Sequence, residues 1–457
     1  MKKRIRLLFG IDFHELPFVF NMFSYFFLVI TVFWILKPLK KTLFFQFYKA
    51  QNGFMFFGDP MTAAQAELLA KILNMVAAMA AVVVFSWLSQ KFKREKLTWV
   101  LAGFFIACFV IYGFTLKPLT DFSVWTFYVF GDMFATVMVA TFFAFLNDSV
   151  SPDIAKRLYA PIGLGGLVGG ACGSTIEALF IHRLSIFLWM LVCCVLSGII
   201  MMNAHFARLN AEKLSGKSYR PIVTPVERLE KSNSAVDGAK MVFGSRYLIS
   251  IAMIVCLYEV ISALVDFQFS ATFERSYSSA ELASKFAAVF ARNNWVSLAV
   301  QVILTGFVMR RFGLVPALLT LPAAEITGAL GFIIFPVPFM AGMLSTIDNG
   351  FSYSINQSAK EALYVPTAPR DVKYKAKAFI DMFVQRFGKA VAVVISLLIT
   401  MAFKEVSTIR WISLVTCAIV LVWSGFAWYA GHTFERSART NNHTAPAINP
   451  QLQEAPA

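Results

Sequence analysis

Five cations fall inside stretches that are otherwise apolar. Lys37, Lys40 and Lys41 stand at the end of the first long apolar run, and Arg386 and Lys389 lie within the run from about 376 to 403. An unpaired charge at the centre of a bilayer costs roughly 3 kcal/mol on insertion scales. Such a group persists where it faces water, a ligand or an opposite charge. Lysine and arginine donate charge-assisted hydrogen bonds to phosphate and carboxylate oxygens, and these are the strong ones. The chemistry predicted by these residues is the binding of an anion within a membrane.

Their spacing adds detail. Lys37 lies three residues before Lys40 and four before Lys41, so on a continued helix the three share one face. Pro38 is expected to interrupt that helix and expose backbone groups. Lysines at a membrane boundary can instead snorkel to the headgroups. Arg386 and Lys389 lie about one third into their run, where snorkelling is harder, and Gly388 leaves room for a neighbouring helix or a ligand. Lys360, in SAKEALYVP, is a further candidate at the end of a span. The anion contacts expected are therefore Lys40, Arg386, Lys389, Lys37, Lys41 and Lys360.

Carboxylates also fall at membrane depth: Asp132, Asp148, Glu177, Glu259, Asp266, Glu325, Asp348 and Asp381. Some must pair with the cations. Glu259 and Asp266 are seven apart, two turns along one helix face. Asp148, Asp266, Glu259, Asp348 and Asp381 are the candidates for gating or coupling.

The elements that must hold these residues are transmembrane helices. The 457-residue chain is 58% hydrophobic and carries 48 phenylalanines, outside the soluble globular range. Runs of about 20 apolar residues, enough to span a bilayer, lie near 16–36, 65–89, 97–116, 122–147, 158–180, 184–206, 246–272, 290–309, 314–336, 337–357, 376–403 and 410–431. The basic segments, KKRIR, KFKREK at 91–96, AKR at 155–157, 207–245, Arg310–Arg311 and 370–377, all fall on one side of this count. The positive-inside rule makes that side cytoplasmic and places both termini there. The fold class expected is all-α integral membrane, with six-helix bundles at 1–206 and 246–432. A cytoplasmic linker at 207–245 joins them, and a disordered tail follows at 433–457. Two six-helix halves with short basic turns in matching places suit the major facilitator architecture, whose site lies near the midplane between the halves.

A net charge of +15 raises the question of nucleic acid. The basic residues are spread over loops between apolar runs, which is the membrane pattern, and no nucleic-acid partner is expected. The six cysteines lie in apolar runs without a CxxC pair, and the five histidines are scattered, so neither metal nor cofactor is expected. No GxSxG, HExxH or Ser-His-Asp pattern is visible, and the chain does not read as an enzyme. The glycines of GLGGLVGGACG (163–173) lack the GK[ST] ending of a phosphate loop and suit close helix packing.

Three stretches carry a family resemblance. LKPLKKTLFF, FFAFLNDSVSPDIAKRLYAPIGLGG and KEALYVPTAPRDVKYKAKAFIDMFVQRFGKA resemble the first-helix, fourth-to-fifth-helix and late blocks of the ATP/ADP translocases of plastids and intracellular bacteria. The resemblance covers most of the chain. It implies a nucleotide antiporter of the bacterial inner membrane, exchanging ATP and ADP by alternating access through a central cationic cavity. It also implies a monomer surrounded by lipid. The family's important lysines fall on Lys40 and Lys360, its acids on Asp148 and Asp266, and its GK position on Lys389. The chain departs from the pattern in three places. Lys41 replaces an aspartate, and both acids are aspartates where the family has glutamates, one methylene shorter by about 1.5 Å. GKAVA replaces GKSGG. A proton-coupled carrier of another organic or phosphate-bearing anion, or a non-transporting membrane protein of the same fold, is the alternative.

Overall fold

The structure is a computed structural model that describes residues 14–56, 58–150, 152–215, 234–364, 370–402 and 409–444. It is built almost wholly of helices. The first half contains α1 (Leu16–Ala50), a hairpin of β1 (Phe54–Phe56) and β2 (Asp59–Met61), α2 (Ala63–Lys91), α3 (Arg94–Thr115), α4 (Asp121–Ser149), α5 (Pro152–Phe180) and α6 (Ile186–Ser215). A short helix, α7 (Ser234–Phe243), precedes the second half, which begins with α8 (Arg246–Ser276). Three later rods contain a wide π-helical turn. In α9, Ser279–Ala299 runs through Val300–Thr305 into Gly306–Arg311. After α10 (Leu314–Ile334), α11 joins Pro338–Phe351 through Ser352–Asn356 to Gln357–Leu363. In α12, Arg370–Phe379 passes through Ile380–Val384 to Gln385–Ala402, and α13 (Ile409–Thr444) closes the chain.

Among the described residues ten helices are long and apolar enough to cross a membrane unaided. The remaining two rods, α11 and α12, are interrupted by their π turns and carry the polar groups Asp348, Asn349 and Lys389. Together these twelve rods match the twelve apolar runs. The basic segments Lys91–Lys96 and Arg310–Arg311 share one end of the bundle, here the basic end; β1 and β2 lie at the other, the hairpin end.

Three boundaries differ from the sequence reading. α1 does not stop near residue 36; it runs through Pro38 to Ala50, so the three lysines lie within a continuous helix. At 1.5 Å per residue they lie about 14–20 Å from its C-terminal end. The helix continues because Lys40 and Lys41 are met by carboxylates of other helices and Lys37 by aromatic rings, which hydropathy along one segment does not register. The expected interruption at Pro38 does not occur. The linker expected from 207 starts later, since α6 extends to Ser215, and 216–233 lie outside the described residues. Part of the tail expected from 433 is helix: α13 continues to Thr444, with Glu, Ala and Arg favouring helix and no proline before Pro446, and 445–457 lie outside the described residues.

The glycine run does pack helices. α5 lies along α1 more extensively than any other pair of elements touches. A Cβ at Gly165, Gly169 or Gly173 would sit 2.5, 2.3 or 2.6 Å from the carbonyl oxygens of Phe23, Phe27 and Thr31. Backbone cannot yield as a side chain can. Gly169→Val therefore separates the two helices, and a thermal-unfolding midpoint at least several degrees lower, or failure to fold, is the expected result.

Candidate functional site

A cavity of about 340 Å³ lies between the two halves at mid-height. α1, α2 and α4 of the first half and α8, α11 and α12 of the second supply most of its wall. Among the described residues six lysines (37, 40, 41, 71, 360 and 389) and five carboxylates (Glu67, Asp132, Glu259, Asp266 and Asp348) line it. The wall is thus close to charge balance, with one lysine in excess, rather than broadly cationic.

The lysines divide by partner. Lys40 is 4% exposed, ion-paired to Asp132, and donates to the Tyr128 carbonyl at 3.3 Å while lying 4.2 Å from that ring. Lys41, equally buried, sits 2.9 Å from Glu67 and 3.1 Å from Asp266. Lys71 also pairs with Asp266, and Tyr128 donates its hydroxyl to Glu67 at 2.9 Å. Asp266 belongs to the second half, and Lys41 and Lys71 belong to the first. These contacts therefore tie the halves together across the cavity. Buried this deeply, Lys40 and Lys41 do not snorkel.

Lys37 and Lys360 are different. Lys37 lies 4.4 Å from the Trp34 ring and 5.6 Å from Phe290, and Lys360 lies 4.9 Å from Tyr258. Among the described residues neither has a carboxylate within 4.0 Å. Cation–π contacts stabilise such a charge without neutralising it. Lys389 is intermediate: it is 3.5 Å from Glu259, with half its side chain exposed to the cavity. Gly388 makes that pair possible, because a Cβ there would be 2.7 Å from the Cys256 carbonyl of α8.

Several expected residues lie elsewhere. Arg386 does not line the cavity. The face of α12 that does is Gln385, Lys389 and Val393, spaced by four, and residue 386 is rotated about 100° from Gln385. Lys389 takes Glu259 as its carboxylate, which also accepts from Gln385. Asp148 pairs with Arg94 at the basic end, and Asp381 lies 3.9 Å from Lys377, which also pairs with Glu361. Asp348 lines the cavity and accepts from Ser262 at 2.7 Å. Glu177 and Glu325 are fully buried with no hydrogen-bond partner on either oxygen. Glu67 and Lys71 were not singled out from sequence. Their signal was a Glu and a Lys at i, i+4 inside the start of an apolar run, which reads as a weak span until its partners are seen.

The two ends of the cavity are unlike. At the hairpin end Lys49 donates to the carbonyls of Glu274 and Tyr277 across the halves. The Glu274 carboxylate accepts from the backbone N–H groups of Ala63 and Ala64, at 2.7 and 2.8 Å, capping the N-terminus of α2. Gln46 donates to the Ser279 carbonyl at 2.8 Å. At the basic end, Arg94–Asp148, Arg208–Glu95 and Lys377–Glu361 each join residues of one half. Among the described residues, these contacts between the halves lie toward the hairpin end, and the ion pairs of the basic end each stay within one half.

This arrangement of twelve rods around a central polar cavity is that of the major facilitator transporters. Solved relatives in fold include the xylose transporter of E. coli in an inward-open conformation, with a TM-score of 0.58 at 13% identity, covering 93% of this chain and 99% of that one. A bacterial homologue of ferroportin in its inward-facing state gives a TM-score of 0.61 at 9% identity, covering 91% and 99%. In sequence, the family model for the TLC ATP/ADP transporter matches residues 119–432. The chain belongs to the TLC ATP/ADP transporter family. Its relatives include ADP,ATP carrier protein 1 of Chlamydia muridarum, 24% identical over 479 aligned residues, covering 91% of this chain and 88% of that one. ADP,ATP carrier protein 1 of Rickettsia conorii is 23% identical, covering 76% and 82%. The plastidic ATP/ADP-transporter of Solanum tuberosum is 21% identical, covering 78% and 65%.

Proposed function

We propose that this TLC-family protein exchanges ATP and ADP across a bacterial inner membrane by alternating access. The observation that carries this reading is the pair Lys37 and Lys360: two cations in a cavity between the halves, held by aromatic rings and, among the described residues, without a carboxylate within 4.0 Å. With Lys389 they offer three donors to a polyphosphate, drawn from α1, α11 and α12. Lys40, Lys41 and Lys71, committed to carboxylates, hold the closed end.

In this reading the basic end is cytoplasmic, by the positive-inside rule, and so are both termini. The protein works as a single chain in lipid, and 1–206 and 246–432 rock against each other. The conformation described is then open inward. A bound polyphosphate pulls Lys360 and Lys389 of the second half toward Lys37 of the first, closing the basic end. The Lys41–Asp266–Lys71 contacts break as the hairpin end opens. Asp148 and Asp381, now paired within their own halves, lie where the closing ends would meet and can exchange partners there. Without a bound anion nothing draws Lys37, Lys360 and Lys389 together, so the empty protein does not close its basic end, and exchange rather than one-way release is the result.

A test uses the purified protein in detergent. ADP or ATP at saturating concentration raises the thermal-unfolding midpoint by a few degrees, as preferential binding to the folded state requires, and adenosine at the same concentration does much less. Arg386→Ala changes the concentration of ADP needed by less than twofold, since this side chain lies off the cavity. No shift with any nucleotide would contradict the assignment.

One observation favours a second reading, proton-coupled uptake of an anion. Among the described residues, Glu325 and one oxygen of Asp348 are buried without hydrogen-bond partners, and a carboxyl so placed is suited to carry a proton. Accumulation of nucleotide driven by a pH gradient without counter-substrate would support that reading over exchange.

A further inference from the structure

A second compartment opens from the central cavity toward the basic end. This cleft, of about 790 Å³, lies between α1, α5, α9 and α11, and it shares Tyr353 and Gln357 with the lysine-lined cavity. Its chemistry differs from that of its neighbour. Phe33 and Trp34 contribute aromatic rings to its lining, Trp34 with 5% of its surface exposed, the α5 glycines and Leu164 form a smooth wall, and Ser297 and Gln301 are neutral polar residues. Its charged lining residue, Arg157, lies far from Lys37, at the start of α5, and pairs with Glu15.

We propose that this cleft, between Phe33, Trp34, Ser297 and Gln301, is the nucleobase subsite of the carrier. The proposal rests on the nucleotide-exchange reading and adds where, and by which residues, the base is held. Three observations carry it. First, a nucleotide is a flat, uncharged, hydrogen-bonding ring joined to a polyanion, and the two compartments offer those two chemistries in series. Second, Trp34 stands on their border: its ring lines the cleft, and the Lys37 ammonium lies 4.4 Å from that ring. A phosphate at Lys37 therefore places the rest of the nucleotide beside an aromatic face. Stacking on such a face recognises the π-surface of a base regardless of its edge.

Third, a polar side chain in the cleft wall lacks a partner. Ser297 is 3% exposed and lines the cleft, and among the described residues its buried hydroxyl has no hydrogen-bond partner. Buried hydroxyls are ordinarily satisfied, and a change of the Ser297 χ1 rotamer would turn this one from the wall toward a ligand atom in the cleft. One turn further along α9, Gln301 carries an amide, whose paired donor and acceptor complement the edge of adenine. Asn294, one turn the other way, already donates to Ser174 at 3.2 Å and holds α5 against α9, which fixes the width of the cleft. The rings Phe44 and Phe45 are fully buried toward the hairpin end and line neither compartment.

The test separates base from phosphate. In proteoliposomes exchanging ADP for labelled ATP, the half-saturating ATP concentration is measured together with inhibition by inorganic tripolyphosphate and by adenosine. Trp34→Ala raises the ATP value roughly tenfold or more, abolishes inhibition by adenosine, and leaves inhibition by tripolyphosphate within twofold. Trp34→Phe, which keeps a ring, stays near the unaltered protein. Ser297→Ala, which removes one hydroxyl and endangers no packing, raises the ATP value severalfold with tripolyphosphate again unchanged. Parallel loss of ATP and tripolyphosphate would overturn the subsite, because Trp34 would then act only through Lys37. Unchanged ATP affinity in both alanine variants would overturn it as well. If the unaltered protein responds to neither ATP nor tripolyphosphate, the exchange reading itself fails, and the subsite with it.

Discussion

Asp266→Asn lowers nucleotide exchange at least about a hundredfold while the protein still folds. Asp266 is the carboxylate of the second half on which two buried lysines of the first half, Lys41 and Lys71, converge. Removing one partner of a buried ion pair costs about 3–5 kcal/mol, because the other charge is left uncompensated. A third of the Asp266 side chain faces the cavity, so the low end of that range applies, and about 3 kcal/mol corresponds to two decades in an equilibrium constant. The neutral amide leaves Lys41 and Lys71 facing each other with one fewer counter-charge, and the seal at the hairpin end no longer re-forms after each cycle. Exchange rates in proteoliposomes, compared with ADP protection against heat in detergent, check this. The expected result is a collapsed rate with protection retained. Asp266→Glu, which restores the charge, recovers a substantial share of the rate. A normal rate in the asparagine variant would show that these cross-half contacts are packing alone.

The second large effect is on affinity. Lys37→Gln and Lys360→Gln each weaken ATP about ten- to a hundredfold, the worth of one charge-assisted hydrogen bond of about 1.5–3 kcal/mol. The two lysines come from different halves but grip one polyphosphate, so the double variant loses more than either single one, and its departure from additivity measures their coupling through the ligand. Lys40→Gln behaves differently: it strands Asp132 without its cation, and the loss falls on stability and rate before affinity. Isothermal titration of ADP against the single and double variants distinguishes the two patterns. Equal, small effects at Lys37, Lys360 and Lys40 would remove the distinction between substrate lysines and seal lysines.

Much of this was legible in the chain. Charges inside apolar runs marked both walls of the cavity, and of the eleven residues expected at the site, eight line it: Lys37, Lys40, Lys41, Lys360, Lys389, Glu259, Asp266 and Asp348. The period of a helix places Lys389 but not Arg386 on the cavity face. That distinction needs the phase of α12, which a π turn at Ile380–Val384 resets. Glu67 and Lys71 escaped notice because their meaning lies in residues some 60 and 200 positions away: Glu67 beneath Tyr128, and Lys71 opposite Asp266. The length of α1 was hidden for the same reason. Local hydropathy ends where Lys37 begins, and the carboxylates that allow the helix to continue are contributed by α2, α4 and α8. Lys41, where the family pattern has an acid, sits at the centre of the cross-half contacts with both Glu67 and Asp266. What read as a departure near the substrate is, in the structure, part of the seal.

The most direct test of the account is counterflow. Proteoliposomes containing the unaltered protein are loaded with ADP and presented with labelled ATP, alongside liposomes loaded with buffer alone. The account predicts saturable ATP uptake that requires internal ADP, persists without any ion gradient, and falls with Lys37→Gln. Absence of uptake with every nucleotide tried, or uptake indifferent to internal ADP, would contradict it.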